Sequence, residues 1–159
     1  MEERYTALFE LAKPILGTTD LLLEHTKRVL EIAKTHFEIP DELKELVYST
    51  IVLHDIGGMS IEDQYEKGPK IAADLLRKLE YDEAMVQEVC ELIGIHHEHP
   101  EKPSEAFKII YDSDQIVRLS PEEFQYYVSS DFDWDKMIEM MYLDHARELA
   151  RNKLEKWLK

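Results

Sequence analysis

The sequence predicts an all-α protein with one domain, and three observations support this. Apolar residues recur at helical spacing along almost the whole chain, whereas no segment alternates over the length of a strand. The chain has five glycines, and it shows no repeat, low-complexity tract or linker. Its 159 residues suit one compact core. We therefore expect a single helical bundle over residues 1–159.

Helix-ending and helix-capping residues divide the first half of the chain into three helices. A threonine or aspartate before a helix can accept hydrogen bonds from its free N–H groups, and proline or glycine ends the apolar repeat. The expected helices are 2–13, ended by Pro14; 20–37, capped by Thr18, Thr19 or Asp20; and 41–54, capped by Asp41 and ended by Gly57 and Gly58.

The same signals divide the second half of the chain. Ser120-Pro121-Glu122-Glu123 is typical of a helix start, because proline has no N–H to leave unpaired at the first helical position. The expected helices are 68–79, opened by Gly68 and Pro69; 83–97, capped by Asp82; 104–119; a segment from 121; and 133–159. Methionines of the last helix are expected in the core or at a dimer interface, so a homodimer is left open.

Composition limits the classes of partner. The net charge is −15, from 34 acidic against 19 basic residues, and such a surface repels nucleic acids and anionic membranes. A small phosphorylated molecule stays compatible, because a bound cation can reverse the local field. No apolar run approaches the roughly 20 residues of a membrane span. The N-terminal residues do not form a secretory signal, so we expect a cytoplasmic protein.

His54 and Asp55 follow an apolar helix and precede two glycines. Packing alone gives a core helix no reason to end in an imidazole beside a carboxylate. A divalent cation binds both groups, so the pair predicts part of a metal site with a hydrolytic role. The alternative is a histidine that ends its helix next to an aspartate exposed by chance.

Three other segments bring histidine or aspartate to a buried face or to the end of an apolar run. His25 lies on or beside the buried face of the second helix, where a hydrogen-bonded core histidine is the usual alternative. Asp112 and Asp114 end one apolar run, and His96 and His97 end another. Buried acids are costly unless they are paired or metal-bound. Together these segments predict one shared pocket.

The order of these residues resembles the pattern of the HD superfamily of metal-dependent phosphohydrolases. The similarity extends over about residues 20–120 and leaves the C-terminal helices, 121–159, outside it. The matching motifs are His25-Thr26-Lys27-Arg28-Val29 (HxxRV), His54-Asp55-Ile56-Gly57 (HDIG), Gly68-Pro69-Lys70-Ile71-Ala72 (Gly-x-x-x-Ala), Ile95-His96-His97 (IxxHH) and Asp112-Ser113-Asp114-Gln115-Ile116 (DADxL).

The resemblance implies an all-α bundle of the HD-domain type with one divalent transition metal, which is Mn, Fe, Co, Ni or Zn. Asp114 is chosen over Asp112 because the family ligand is the second acid of its segment. Many two-metal relatives carry a histidine where this chain has Lys67, so we expect one metal. The implied ligands are His25, His54, Asp55 and Asp114.

The implied reaction is hydrolysis of a small phosphorylated, nucleotide-like substrate by a metal-activated water. Asp55 is expected to orient the water, and His96, with His97 as second choice, to transfer protons or contact substrate. Arg28 and Lys70 are candidate phosphate ligands. The alternatives are hydrogen-bond support for the histidines, a salt bridge from Arg28 to the metal-bound aspartate and a surface position for Lys70.

Two other functions stay open. One is a catalytically silent HD domain that binds a metal and a phosphorylated ligand. The other is a helical interaction domain in which the histidine and aspartate set is accidental.

Overall fold

The computed structural model describes residues 4–128 and 131–159. These residues form ten α-helices and one 3₁₀ turn, joined by turns and loops, and they contain no strand. The all-α prediction is therefore confirmed. The helices are α1 (Arg4–Leu16), α2 (Asp20–His36), α3 (Asp41–Leu53), α4 (Ile61–Glu66), α5 (Gly68–Lys78), α6 (Glu83–Ile93), α7 (Glu105–Ile116), α8 (Pro121–Phe124), α9 (Trp134–Met140) and α10 (Asp144–Leu158), with the 3₁₀ turn at Val117–Leu119.

Side-chain caps begin several helices at the predicted places. The Thr19 hydroxyl accepts a hydrogen bond from the Leu22 N–H at 3.2 Å, and Asp82 accepts one from Met85 at 2.8 Å. Each bond satisfies a backbone donor that the helix itself leaves free. Asp41 differs from its prediction, because it is the first residue of α3 and Pro40 precedes it without a side-chain cap.

The prediction that Pro14 ends the first helix is wrong. Pro14 lies inside α1, which continues to Leu16. A proline within a helix removes one backbone hydrogen bond. Ala12 and Leu16 are fully buried, and we attribute the continued helix to their packing in the core. The expected start of this helix, at residue 2, lies outside the described residues.

The predicted last helix is two helices, α9 and α10, separated by residues 141–143. Asp112 in α7 binds the segment that connects them. Its carboxylate accepts hydrogen bonds from the backbone N–H groups of Tyr142, at 2.9 Å, and Leu143, at 2.8 Å. This side chain therefore holds the backbone just before α10 from another helix, which the local sequence of 133–159 does not reveal.

α3 carries the site into the middle of the bundle. It packs against α1, α2, α6 and α7, and all its residues from Leu46 to Leu53 are buried. The hydrophobic core around it extends from Tyr5 in α1 to Leu154 in α10. His54 follows α3 directly and is 1% exposed. The apolar helix therefore delivers His54 and Asp55 to a buried position, as its sequence predicted.

Gly57 keeps the turn after Asp55 closed. A Cβ atom at Gly57 would lie 2.7 Å from the Gly68 backbone nitrogen and closer still to the Asp63 carbonyl oxygen. Because both neighbours are backbone atoms, Gly57→Ala is expected to lower the free energy of unfolding by about 2–3 kcal/mol. Urea denaturation tests this, with Gly94→Ala as the control, since its Cβ would have ordinary contacts. Equal stability of the two variants would contradict the prediction.

Candidate metal centre

Four predicted side chains converge at the junction of α2, α3 and α7. His25 Nε2 lies 3.0 Å from Asp114 Oδ1 and 3.4 Å from Asp55 Oδ2. His54 Nε2 lies 3.2 Å from Asp55 Oδ2 and 3.5 Å from Asp114 Oδ1. Ligand atoms about 2.1 Å from a six-coordinate ion are about 3 Å apart at right angles. The spacing of these four donor atoms therefore fits a metal ion between them.

The His54 ring is fixed in the orientation that a metal ligand requires. Its Nδ1 donates a hydrogen bond to the Ile51 carbonyl at 2.6 Å. In a neutral ring, Nε2 then carries the free lone pair, and it faces the two carboxylates. This atom is fully buried without a hydrogen-bond partner among the described residues. A buried polar atom is rarely left unpaired, so the site fits a cation at this point.

Glu123 orients His25 and was not predicted from the sequence. Its Oε2 lies 2.9 Å from His25 Nδ1, so that His25 Nε2 is directed at Asp55 and Asp114. The Arg28 guanidinium donates to the same oxygen at 3.0 Å. Arg28 therefore forms a salt bridge, as the alternative interpretation had it, but with Glu123 and not with a candidate metal ligand. A helix-start pattern was the only sequence signal at Glu123.

His96 and His97 lie on the other side of Asp55. They follow α6 in a turn, whereas the sequence had extended that helix to residue 97. His96 repeats the arrangement of His54: Nδ1 donates to the Ile93 carbonyl at 2.6 Å, and the buried Nε2 lies 3.4 Å from Asp55 Oδ1 without a hydrogen bond among the described residues. His97 is exposed, and its Nε2 lies 2.5 Å from Gln64 Oε1.

The donor atoms thus form two groups that are joined by one carboxylate. His25, His54 and Asp114 form the first group, and Asp55, His96 and His97 the second, each within 4.8 Å. Asp55 Oδ2 faces the first group and Oδ1 the second. A second ion would find fewer buried donors, because His97 is exposed and hydrogen-bonded to Gln64.

The carboxylates make the cluster strongly favourable for positive charge. Burial opposes protonation of His25, but hydrogen bonds to Asp114 and Glu123 outweigh it and raise its pKa to about 9. Burial is likewise overcome at His54, whose pKa the charges of Asp55 and Asp114 raise. Burial and the neighbouring His96 lower the pKa of His97 to about 4. His97 is therefore neutral at pH 7.

A cavity of about 260 Å³ opens beside this cluster. His25, Arg28, Asp55 and Glu123 lie in its polar wall. Lys70, the other predicted phosphate ligand, is exposed on the first turn of α5 and does not line this cavity. The structure therefore brings Arg28 to the cavity and leaves Lys70 away from it.

The fold and the clustered donor atoms define the class as an all-α protein with a candidate metal site. Comparison with known families then gives the family. Residues 22–119 match the model of the HD domain family. This is more than half of the chain, so the chain belongs to the HD domain family, and the resemblance drawn from the motifs is confirmed. No curated protein and no solved structure is significantly similar to the chain. Among the described residues, each helix is too short or too polar to cross a membrane.

Proposed function

We propose that this chain is a metal-dependent phosphohydrolase that acts on a small phosphorylated, nucleotide-like molecule. The observation that carries the proposal is the unpaired Nε2 of His54, fully buried and directed at two carboxylates. Membership of the HD domain family supports the same reaction class.

His25, His54, Asp55 and Asp114 would hold the ion, with the four donor atoms described above. Two imidazole nitrogens and two carboxylate oxygens suit a first-row transition metal, such as Mn or Zn, better than Ca²⁺ or Mg²⁺. When bound, such an ion lowers the pKa of a coordinated water and shields the charge of a phosphate. We expect one tightly bound ion, since the Lys67 ammonium faces Asp63 at 3.4 Å and offers no lone pair.

We assign Asp55 to orienting the attacking water and His96 to proton transfer. The Asp55 carboxylate lies between the two donor groups, so it can hold a water molecule in place through one oxygen. His96 Nε2 can accept a proton because its Nδ1 is committed to the Ile93 carbonyl. His97 supports this arrangement from outside, through contact of its ring with that of His96 at 4.0 Å between centroids.

The proposal is tested with p-nitrophenyl phosphate, bis(p-nitrophenyl) phosphate and a panel of nucleotides in the presence of Mn²⁺. We expect turnover that a chelator abolishes. His96→Ala is expected to lower kcat about 10²–10⁴-fold, because His96 is assigned to proton transfer. The protein should keep its tightly bound metal, because His96 is not one of the four assigned ligands. Undiminished turnover in this variant would remove His96 from the mechanism.

Glu123→Gln is expected to weaken metal binding about 10–100-fold, because the charged carboxylate fixes the His25 ring and raises its basicity. The matched control is Glu122→Gln, since Glu122 is exposed and adjacent. Competition with a fluorescent metal chelator measures both affinities. Equal affinity in the two variants would show that Glu123 does not support the ligand.

The second candidate is a domain that binds a metal and a phosphorylated ligand without turnover. One observation favours it: Glu123 neutralises the Arg28 guanidinium, which lines the described part of the cavity. Absence of turnover on the whole panel, together with stoichiometric metal and measurable phosphonate binding, would favour this candidate over the enzyme.

A further inference from the structure

The mouth of the cavity beside the metal cluster is apolar. Leu21, Met59 and Tyr126 line this cavity, although they are 53%, 56% and 64% exposed to solvent. Leu22 and Tyr127 line it at greater depth. These residues come from α2, from the turn after Asp55 and from the segment after α8, so three separate parts of the chain supply the apolar rim. The rim is continuous with His25 and Asp55 in the same cavity.

The electrostatics of the cavity restrict the charge of its ligand. Among the described residues that line it, Arg28 carries the one guanidinium or ammonium group, and Glu123 Oε2 lies 2.9 Å from its Nη2 and 3.0 Å from its Nε. His25 also lines the cavity, but as a metal ligand it would be neutral. A phosphate at the metal ligands would therefore meet no free cation for a second or third phosphate. The net charge of −15 makes additional phosphates still less favourable.

The size of the cavity restricts the ligand further. About 260 Å³ is below the roughly 300–1,000 Å³ typical of sites for drug-sized ligands. A phosphate together with one ring system is the kind of ligand that fits such a volume. Aromatic and thioether side chains bind flat apolar groups by contact with their faces.

We infer that this cavity selects phosphate esters with a single phosphate and an alcohol portion that carries an aromatic ring, with Leu21, Met59 and Tyr126 as the specificity-determining residues. This inference rests on the proposed function, because the metal cluster must receive the phosphate. The occupant of the rim is the organic group of the substrate. The exposed apolar side chains at the mouth form the surface that the aromatic ring of the substrate would cover.

The test uses two phosphonates that cannot be hydrolysed, phenylphosphonate and methylphosphonate, bound to the Mn-loaded protein. We expect phenylphosphonate to bind at least about 10-fold more tightly in isothermal titration calorimetry. Tyr126→Ser and Met59→Ser should each reduce this ratio to about threefold or less. Leu158→Ser, at a site 73% exposed on α10 and outside the cavity lining, should leave the ratio unchanged.

Hydrolysis of phenyl phosphate, methyl phosphate and ATP separates this inference from the proposed function. Preference for phenylphosphonate that depends on Tyr126, without hydrolysis of any ester, would support the inference and overturn the enzyme. Hydrolysis with equal rates for phenyl and methyl phosphate, or with ATP as the best substrate, would overturn the inference alone.

A change in molecular mass identifies the competing occupant, a second copy of this chain. If Tyr126→Ser alters the mass in analytical ultracentrifugation and leaves the phosphonate ratio at its wild-type value, the apolar rim is a subunit interface. That result would overturn the inference. An unchanged mass with a reduced ratio supports it.

Discussion

Replacing Asp114 by alanine is expected to abolish stoichiometric metal binding, whereas the same replacement at Asp112 should leave the metal in place. Asp114 Oδ1 lies 3.0 Å from His25 Nε2 and 3.5 Å from His54 Nε2, so its loss removes a donor from the cluster. Asp112 instead accepts backbone hydrogen bonds from Tyr142 and Leu143. Elemental analysis of purified protein measures the metal in each variant.

Asp112→Ala is also expected to lower the stability of the protein. Asp112→Ala leaves the N–H groups of Tyr142 and Leu143, just before α10, without their acceptor, so the free energy of unfolding should fall by about 3 kcal/mol. Metal retained by Asp114→Ala and lost from Asp112→Ala would reverse the ligand assignment.

Saturation with Mn²⁺ is expected to raise the Tm by about 10 °C. An ion that binds the folded state alone stabilises it by about 4 kcal/mol at 1,000 times its Kd. For a chain of this size, 1 kcal/mol corresponds to roughly 2–4 °C. The physical reason is that the ion satisfies buried carboxylates and the unpaired Nε2 of His54 together. Differential scanning calorimetry with and without the metal measures the shift.

Variants of the cluster provide the controls for this shift. His54→Ala should show a shift below about 2 °C, because the central nitrogen donor is lost. Glu122→Ala changes an exposed acid outside the cluster and should retain the full shift. A shift of equal size in His54→Ala would mean that Mn²⁺ stabilises the protein from another site.

The helical fold and the centre of the site were predictable because both depend on local patterns. The apolar run before His54 predicts a buried helix, and Gly57 and Gly58 predict its end. Its burial on all sides follows from residues 46–53, few of which are polar. The positions of His25, His54 and Asp114 then predicted that three helices meet at one point. Their donor atoms do lie together there.

The parts that the sequence did not predict depend on contacts between distant segments. Asp112 and Asp114 are two residues apart in α7, so their side chains point to opposite sides of the helix. One side faces the histidines and the other faces α10. Glu123 orients His25 across 98 positions of sequence. A short helix-start pattern does not reveal such a partner, and neither does it reveal that Arg28 pairs with Glu123.

Anomalous diffraction from crystals of the Mn-loaded chain locates the ion itself and so decides whether these four side chains hold it. We expect one strong peak, about 2.2 Å from each of His25 Nε2, His54 Nε2, Asp55 Oδ2 and Asp114 Oδ1. A fully occupied ion held by other residues, or no ion within bonding distance of the His54 nitrogen in Mn-saturated crystals, would contradict it.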